Sequence, residues 1–273
     1  MDTFRLIESG FCDAATNMAV DEALFLSYQK HICLPTLRLY SWNPAALSIG
    51  YSQNPARLLN LELIREKNID LVRRLTGGGL LFHDNELTYS IVGASEDFST
   101  SKSVKESFEK ITGFLIEAYQ MLGAKAKFSK VKTLFPHTVA GVCFARKEEY
   151  DILINNKKIG GNAQKRRYDI ILQHGSIPLA FDKNKIESFL LDPRILDALE
   201  ITTASEISKT KISFHSLAKT LIKAFAAYFH ARIIRSPLTP QEELLVQELK
   251  NTKYKNVKWN FLRHENYPQT RMA

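Results

Sequence analysis

The residue types that could do chemistry gather in four places along the chain. The segment 73–84, RRLTGGGLLFHD, sets Arg73, Arg74 and His83 around three consecutive glycines. Glycines let the backbone close on a ligand and present its amide donors. Gly77, Gly78 and Gly79, with Arg73, Thr76 and His83 beside them, therefore form a candidate cradle for a carboxylate, a thioester carbonyl or a phosphate. The segment matches neither GxxxxGK[ST] nor GxGxxG, which disfavours a P-loop or a dinucleotide fold. In 157–164, KKIGGNAQ, Lys158 precedes a glycine pair and could bind an anion or polarise a carbonyl. Taken alone, a lysine pair after a turn reads as a solvated hairpin end. His174, in LQHGS, closes an apolar strand, and its surroundings favour a hydrogen-bonded core histidine over a catalytic one. Cys143 sits in the small, apolar stretch VAGVCF. On those neighbours alone it is a buried, inert thiol; as a nucleophile it needs a nearby positive charge to lower its pKa.

These residues must be held by a scaffold, and the hydrophobic pattern predicts one. Val20, Leu24 and Tyr28 recur at helical spacing after a cap placed at Asn17, and Leu37–Tyr40 and Leu47–Tyr51 read as strands. Leu71–Arg74 and Thr88–Gly93 flank the triple glycine as a strand, loop, strand unit. Val104, Phe108, Ile111, Leu115, Tyr119 and Leu122 predict a helix stopped at Gly123. Tyr150–Ile154, the turn Asn155-Asn156 and Lys157 onward read as a hairpin, followed by a strand through Ile170–Leu172. The last third reads as mostly helical. Ile186, Phe189 and Leu190 mark a helix ended by Pro193, Leu217 to Tyr228 a second, and Thr239-Pro240-Gln241-Glu242 a capping box with proline at the first helical position. Tyr254, Trp259, Phe261 and Tyr267 make the C-terminal stretch too aromatic for a loose tail.

Composition narrows the class. Among 273 residues, 45% hydrophobic content is enough for a packed core, and no apolar run approaches a membrane span or a signal core. The expectation is a cytoplasmic protein that neither spans nor binds a membrane. Three cysteines, Cys12, Cys33 and Cys143, form no CxxC or Cys/His cluster, so free thiols and no metal site are expected, with Cys12 and Cys33 as small buried residues. A net charge of +8 favours acidic partners. Without an RNA-binding signature, zinc finger or long basic tract, acidic carrier proteins fit better than nucleic acid.

Together these segments resemble the lipoate and octanoate attachment superfamily, which groups lipoate-protein ligases, octanoyltransferases and, more distantly, biotin ligases. The resemblance also takes in NMAVDEAL at 17–24, Arg38 with Tyr40 and Trp42, and Ser48-Ile49-Gly50 with Gln53. It implies a mixed α/β fold around a central sheet, like the class II aminoacyl-tRNA synthetase and biotin-lipoate ligase catalytic domain. That domain would span residues 1–235, with 236–273 as a helical extension packed on it. Val142-Cys143-Phe144, Tyr150, Lys158, Lys253-Tyr254 and Trp259-Asn260 are most similar to the cysteine-dependent octanoyltransferases. This implies catalytic roles for Cys143 and Lys158, and substrate binding by Arg73, Thr76, Gly77, Gly78, Gly79, His83, Gly161, Ala163 and His174. It further implies octanoyl-acyl carrier protein as donor, a lipoyl-domain protein (a glycine cleavage H protein or an E2 subunit) as acceptor, and no cofactor. Gly79 stands where the octanoyltransferase loop usually carries an arginine, and GGGLLFHD is closer to the ligase form. An ATP- and Mg-dependent ligase, an amidotransferase between lipoyl domains and a non-catalytic carrier-binding protein therefore remain alternatives.

Overall fold

The computed structural model describes residues 2–30, 33–101, 103–130 and 149–262; Cys143 and Tyr267 lie outside them. In chain order the described elements are β1 (Thr3–Cys12), α1 (Ala14–Gln29), β2 (Thr36–Trp42), β3 (Ala46–Ile49), α2 (Leu61–Glu66), β4 (Asp70–Arg73), β5 (Leu81–His83), β6 (Glu86–Ala94), α3 (Val104–Met121), β7 (Ala126–Phe128), β8 (Ile152–Ile154), β9 (Lys157–Lys158), β10 (Gly161–Arg167), β11 (Ile170–Pro178), α4 (Lys183–Glu187), α5 (Ala204–Ser208), α6 (Phe214–Tyr228), β12 (Arg232–Arg235), α7 (Pro240–Leu249) and α8 (Val257–Phe261).

A mixed six-stranded sheet runs β10-β11-β6-β2-β1-β12, parallel between β12, β1 and β2 and antiparallel from β2 to β10. A smaller sheet, β4-β3-β5, and a hairpin sheet, β7-β8-β9, lie beside it. Strand alternation turns successive side chains of the large sheet to opposite faces. On one face Leu37, Leu39, Tyr89 and Ile91 pack against Ile111, Phe114 and Leu115 of α3 and Leu217, Leu221 and Phe225 of α6. Each such side chain contributes about 1.5–3 kcal/mol by leaving water. On the other face Tyr40, Trp42, Val92 and Leu172 meet Met18, Ala19, Ala23 and Leu24 of α1.

The C-terminal segment closes over α1. Thr239 and Glu242 form the expected capping box at the start of α7, and Glu242 also receives both terminal nitrogens of the buried Arg5, at 2.8 and 2.6 Å. A wide π-type turn at Lys250–Tyr254 follows. It sends Lys253 Nζ to both oxygens of Glu22 at 2.8 Å and the Tyr254 hydroxyl to the same carboxylate at 2.7 Å. Among the described residues no helix is long and apolar enough to cross a membrane.

The helices predicted over Val104–Leu122, over Leu217–Tyr228 and from the Thr239 capping box are present as α3, α6 and α7, as is the hairpin. Its Asn155 and Asn156 have φ of 50° and 62°, the left-handed geometry that a two-residue hairpin turn demands. Four expectations change. The cap of α1 is Asp13, whose side chain accepts the Thr16 N–H, whereas Asn17 is buried inside the helix and donates to the carbonyls of Cys12 and Ser41. The strands flanking the triple glycine belong to different sheets, with β5 between them. Pro193 opens a 3-10 helix (Pro193–Ala198) rather than ending a longer helix, as suits a residue that lacks only an N–H orphaned there anyway. The last third also contains β12, which completes the large sheet beside β1. Cys12 and Cys33 are free thiols but only half-buried, and burial pushes the Cys33 thiol up to about 11.

Candidate active site

A pocket lies between the α1 face of the large sheet, the small sheet and the triple-glycine loop. Its inner wall is Met18, Tyr40, Trp42, Leu81 and Thr88; its outer end is Gly78, Asn162 and Ala163. The inner residues are buried, whereas Gly78 is exposed and Asn162 and Ala163 are half-buried, so the mouth lies at the loop and the edge strand β10. Although polar residues line it, the surface they turn to the cavity is almost wholly apolar. The reason is that their polar atoms bond to one another behind the wall.

Two hydroxyl–imidazole–carboxylate chains do this. In the first, His83 Nδ1 lies 2.9 Å from Glu86 Oε1 and its Nε2 lies 2.6 Å from Ser48 Oγ. Arg74 Nη1 donates to that same hydroxyl at 2.6 Å, and Nη2 donates to the carbonyls of Gly77 and Gly79 at 3.1 and 2.8 Å. The His83 ring stacks on Trp42, with centroids 3.8 Å apart. In the second chain, His174 Nδ1 lies 3.0 Å from Asp21 Oδ2 and its Nε2 lies 2.7 Å from Thr76 Oγ1. Asp21 is also held by Arg38 Nη1 at 2.7 Å, the Tyr40 hydroxyl at 2.9 Å and the Ser90 hydroxyl at 2.7 Å.

The electrostatics follow from these partners. Burial opposes a charge on Asp21, but the Arg38 guanidinium, followed by the His174 and Ser90 donors, holds its pKa below the usual carboxylate range. Burial likewise opposes ionisation of Glu86, and His83, Ser176 and Thr88 reverse it. For His174 burial prevails and lowers the pKa despite Asp21. The neutral ring then donates from Nδ1 to the carboxylate and accepts the Thr76 hydroxyl proton at Nε2.

The glycine loop is also held sterically. A Cβ at Gly50 would lie 2.0 Å from the Gly78 carbonyl oxygen, and Gly78 itself has a φ of +92°, which glycine adopts without penalty.

Of the residues singled out by sequence, Gly78, His83, Gly161, Ala163 and His174 line the pocket, and Thr76, Gly77 and Gly79 are tied to its wall. Arg73 does not line it. Its guanidinium donates to the carbonyls of Gly50, Tyr51, Gln53, Trp259 and Asn260, binding the C-terminal segment to β4. Lys158 is buried at 2% exposure and pairs with Asp151 Oδ2 at 2.7 Å, in the strand that leads into β10. Cys143 lies outside the described residues. Sequence reasoning assigned no chemistry to Asp21, Ser48 or Glu86, and it placed Arg74 beside the glycine loop without giving it a role of its own. Asp21 and Ser48 sit inside the segments that carried the resemblance, and Glu86 lies three residues after His83, the imidazole it holds; these are the available hints.

Solved structures with this architecture include a lipoate-protein ligase A bound with ATP, at a TM-score of 0.80 and 24% identity over 97% of this chain and all of that one. Another is the bi-partite lipoate protein ligase from Thermoplasma acidophilum, solved in a study of that ligase and its E2 lipoyl domain, with a TM-score of 0.78 and 23% identity over 96% of this chain and 97% of that one. They establish the class II synthetase-like catalytic fold expected from sequence. Octanoyltransferase LipM of Clostridioides difficile (strain 630) is 36% identical over 95% of this chain and 99% of that protein. The model of the lipoyl protein ligase A/B catalytic domain matches residues 13–231, and with that match the chain belongs to the lipoyl protein ligase A/B family, among relatives that are octanoyltransferases.

Proposed function

We propose that the chain transfers an octanoyl group from octanoyl-acyl carrier protein to a lysine of a lipoyl-domain protein, a glycine cleavage H protein or an E2 subunit, through a thioester on Cys143. The observation that carries this reading is a pocket of polar residues that shows the cavity an apolar surface. An alkyl chain gains about 0.8 kcal/mol per CH₂ buried there, while a phosphate would meet an Arg74 fork already engaged by Ser48, Gly77 and Gly79. The octanoyltransferase relatives supply the acyl group, and the ligase studied with its lipoyl domain suggests the acceptor class.

In this scheme the Cys143 thiolate adds to the thioester carbonyl, and the C=O electron pair moves onto oxygen. Collapse restores the carbonyl and expels the carrier thiolate, which leaves as the thiol after taking a proton from water. The acceptor lysine amine then adds to the Cys143 thioester, the amide forms, and the amine's proton leaves with the displaced sulfur. Lys158, paired with Asp151 at 2.7 Å, supplies the positive charge that favours the thiolate. A thioester is activated enough that no nucleotide is needed, and the +8 chain attracts acidic carriers.

Mass measurement after mixing purified protein with octanoyl-acyl carrier protein, without nucleotide, is expected to show an octanoyl-enzyme that Cys143→Ser cannot form. Normal transfer by Cys143→Ser, or labelling of the acceptor only with free octanoate or lipoate and ATP-Mg, would replace this scheme with the ligase reaction.

A further inference from the structure

β10 leaves the pocket carrying three consecutive cations, Lys165, Arg166 and Arg167. Strand alternation divides them between the two faces of the large sheet. Ala163 pairs with His174, Lys165 with Leu172 and Arg167 with Ile170. Cross-strand partners share a face, and Leu172 and Ile170 pack toward α1. Lys165 therefore stands on the pocket face, two residues beyond Ala163 of the mouth. Arg166 turns to the other face and donates to the Ser95 hydroxyl at 3.1 Å, whereas Arg167 donates to Gln29 Oε1, at the end of α1, at 3.0 Å. The Lys165 ammonium lies 5.5 Å from the centre of the Tyr51 ring, a cation–π distance. Tyr51 is 37% exposed, and its N–H donates at 2.8 Å to the carbonyl of Thr76, the residue before the triple glycine. Its ring meets Trp259 at 5.9 Å between centroids, and Trp259 carries the Lys253 ammonium over its own face at 4.1 Å. The C-terminal brace thus backs Tyr51, and Tyr51 backs Lys165 at the rim of the mouth.

The lysines of the hairpin and the brace, Lys158 and Lys253, each hold a carboxylate. Lys165 is half-buried, yet among the described residues it has neither a carboxylate partner nor a hydrogen bond. We propose that Lys165 is the docking cation for the acceptor protein: its ammonium pairs with a carboxylate beside the acceptor lysine and so sets that lysine at the mouth of the pocket. This deepens the octanoyl-transfer reading and rests on it for the class of acceptor. Reach selects the acceptor over the donor. A lysine amine hangs on a four-carbon stem, so an acceptor whose amine enters between Gly78 and Ala163 must bring its own surface against the rim. Octanoate on an acyl carrier protein hangs from a far longer phosphopantetheine arm, which leaves the carrier's surface clear of the rim. Charge selects an acidic neighbour, because a carboxylate supplies the charge-assisted hydrogen bond that Lys165 lacks within the chain. The Tyr51 ring holds the ammonium near its place beforehand, which reduces the side-chain ordering that docking would otherwise cost. An ion pair at the rim acts on encounter and binding of the acceptor rather than on acyl transfer.

The test measures transfer by the full chain to a lipoyl domain with an aspartate or glutamate next to its acceptor lysine, and to the same domain with that acid changed to lysine. For Lys165→Glu the KM for the acidic domain is expected to rise about tenfold with kcat within about threefold, and the reversed domain should recover most of that loss. Lys223→Glu makes the same charge change on the exposed side of α6, across the sheet from the pocket, and should move neither constant. A Lys165→Glu enzyme whose acceptor KM stays within about threefold of the parent overturns the proposal. So does a rise in KM for the acyl carrier instead, which assigns Lys165 to the donor, or a rise that the reversed domain does not recover. Should Lys165→Glu fail to fold, the parent decides, and an equal KM for the two domains overturns the proposal. A parent active only with octanoate and ATP-Mg overturns the carrier-donor reading but not this one, because the acceptor is the same and the same KM comparison decides. A parent inactive with both donors is titrated with the two domains by calorimetry, and equal Kd values for parent and Lys165→Glu overturn it.

Discussion

Arg73 and Arg74 are neighbours in the chain and serve opposite regions of the molecule. Arg73 faces the C-terminal brace, where its guanidinium binds five backbone carbonyls and its own carbonyl accepts the Trp259 indole N–H at 3.0 Å. Arg74 faces the pocket, where it joins Ser48 to the glycine loop. Strand alternation is the cause: at the end of β4 consecutive side chains must leave on opposite sides. A basic pair that reads as one unit in sequence is therefore divided by geometry into a residue for holding the chain together and a residue for shaping the site.

The largest expected effect tests the brace. Lys253→Ala removes the ammonium that pairs with the buried Glu22, which costs about 3–5 kcal/mol, and Tm should fall by about ten degrees. Transfer kinetics of the remaining folded protein should stay within about twofold. Calorimetry showing an unchanged Tm would end the structural half of the contrast.

On the pocket side, Gly50→Ala forces its Cβ against the Gly78 oxygen and Arg74→Ala releases the loop. Each should reduce kcat/KM about 10²-fold, with a smaller fall in Tm than Lys253→Ala gives. Equal Tm losses in both sets would show that the two arginines do not divide the work.

Acid should expose the pocket before the brace. His174 has a lowered folded pKa, so the unfolded chain binds its proton first, and stability falls as pH drops below the ordinary histidine value of about 6.5 toward the lower folded value. Asp21, Glu86 and Glu242 also have lowered folded pKa values. Their contribution is present above about pH 4 and is lost only as pH falls further. Melting curves across pH should show a first acid limb that His174→Gln removes, and its persistence in that variant would assign it elsewhere. The smallest effect, about 0.5 kcal/mol, is expected for Lys250→Ala, whose partly exposed ammonium meets Asp13 at 2.8 Å.

Much of the site was legible because its residues lie in short motifs. The triple glycine and His83 could be selected from residue type and spacing, since close backbone approach is a local property, whereas Gly161, Ala163 and His174 entered through the family resemblance. Arg73 could not be told from Arg74, because the choice depends on which sheet face meets which partner. Glu86 holds the nearby His83, and only the pairing of β11 with β6 adds Ser176 to it.

The sequence by itself determined the helices marked by Val104–Leu122, by Leu217–Tyr228 and by the Thr239 capping box, and the Asn155-Asn156 turn, because periodicity, capping and turn chemistry act over a few residues, while the order of its motif blocks carried the resemblance to the family. Only the tertiary structure decided that His174 meets Asp21 across 153 positions, that the strands beside the glycines enter different sheets, and that the polar lining presents an apolar cavity. Those outcomes depend on strand pairing between distant segments, and a one-residue change of register would turn each side chain to the other face.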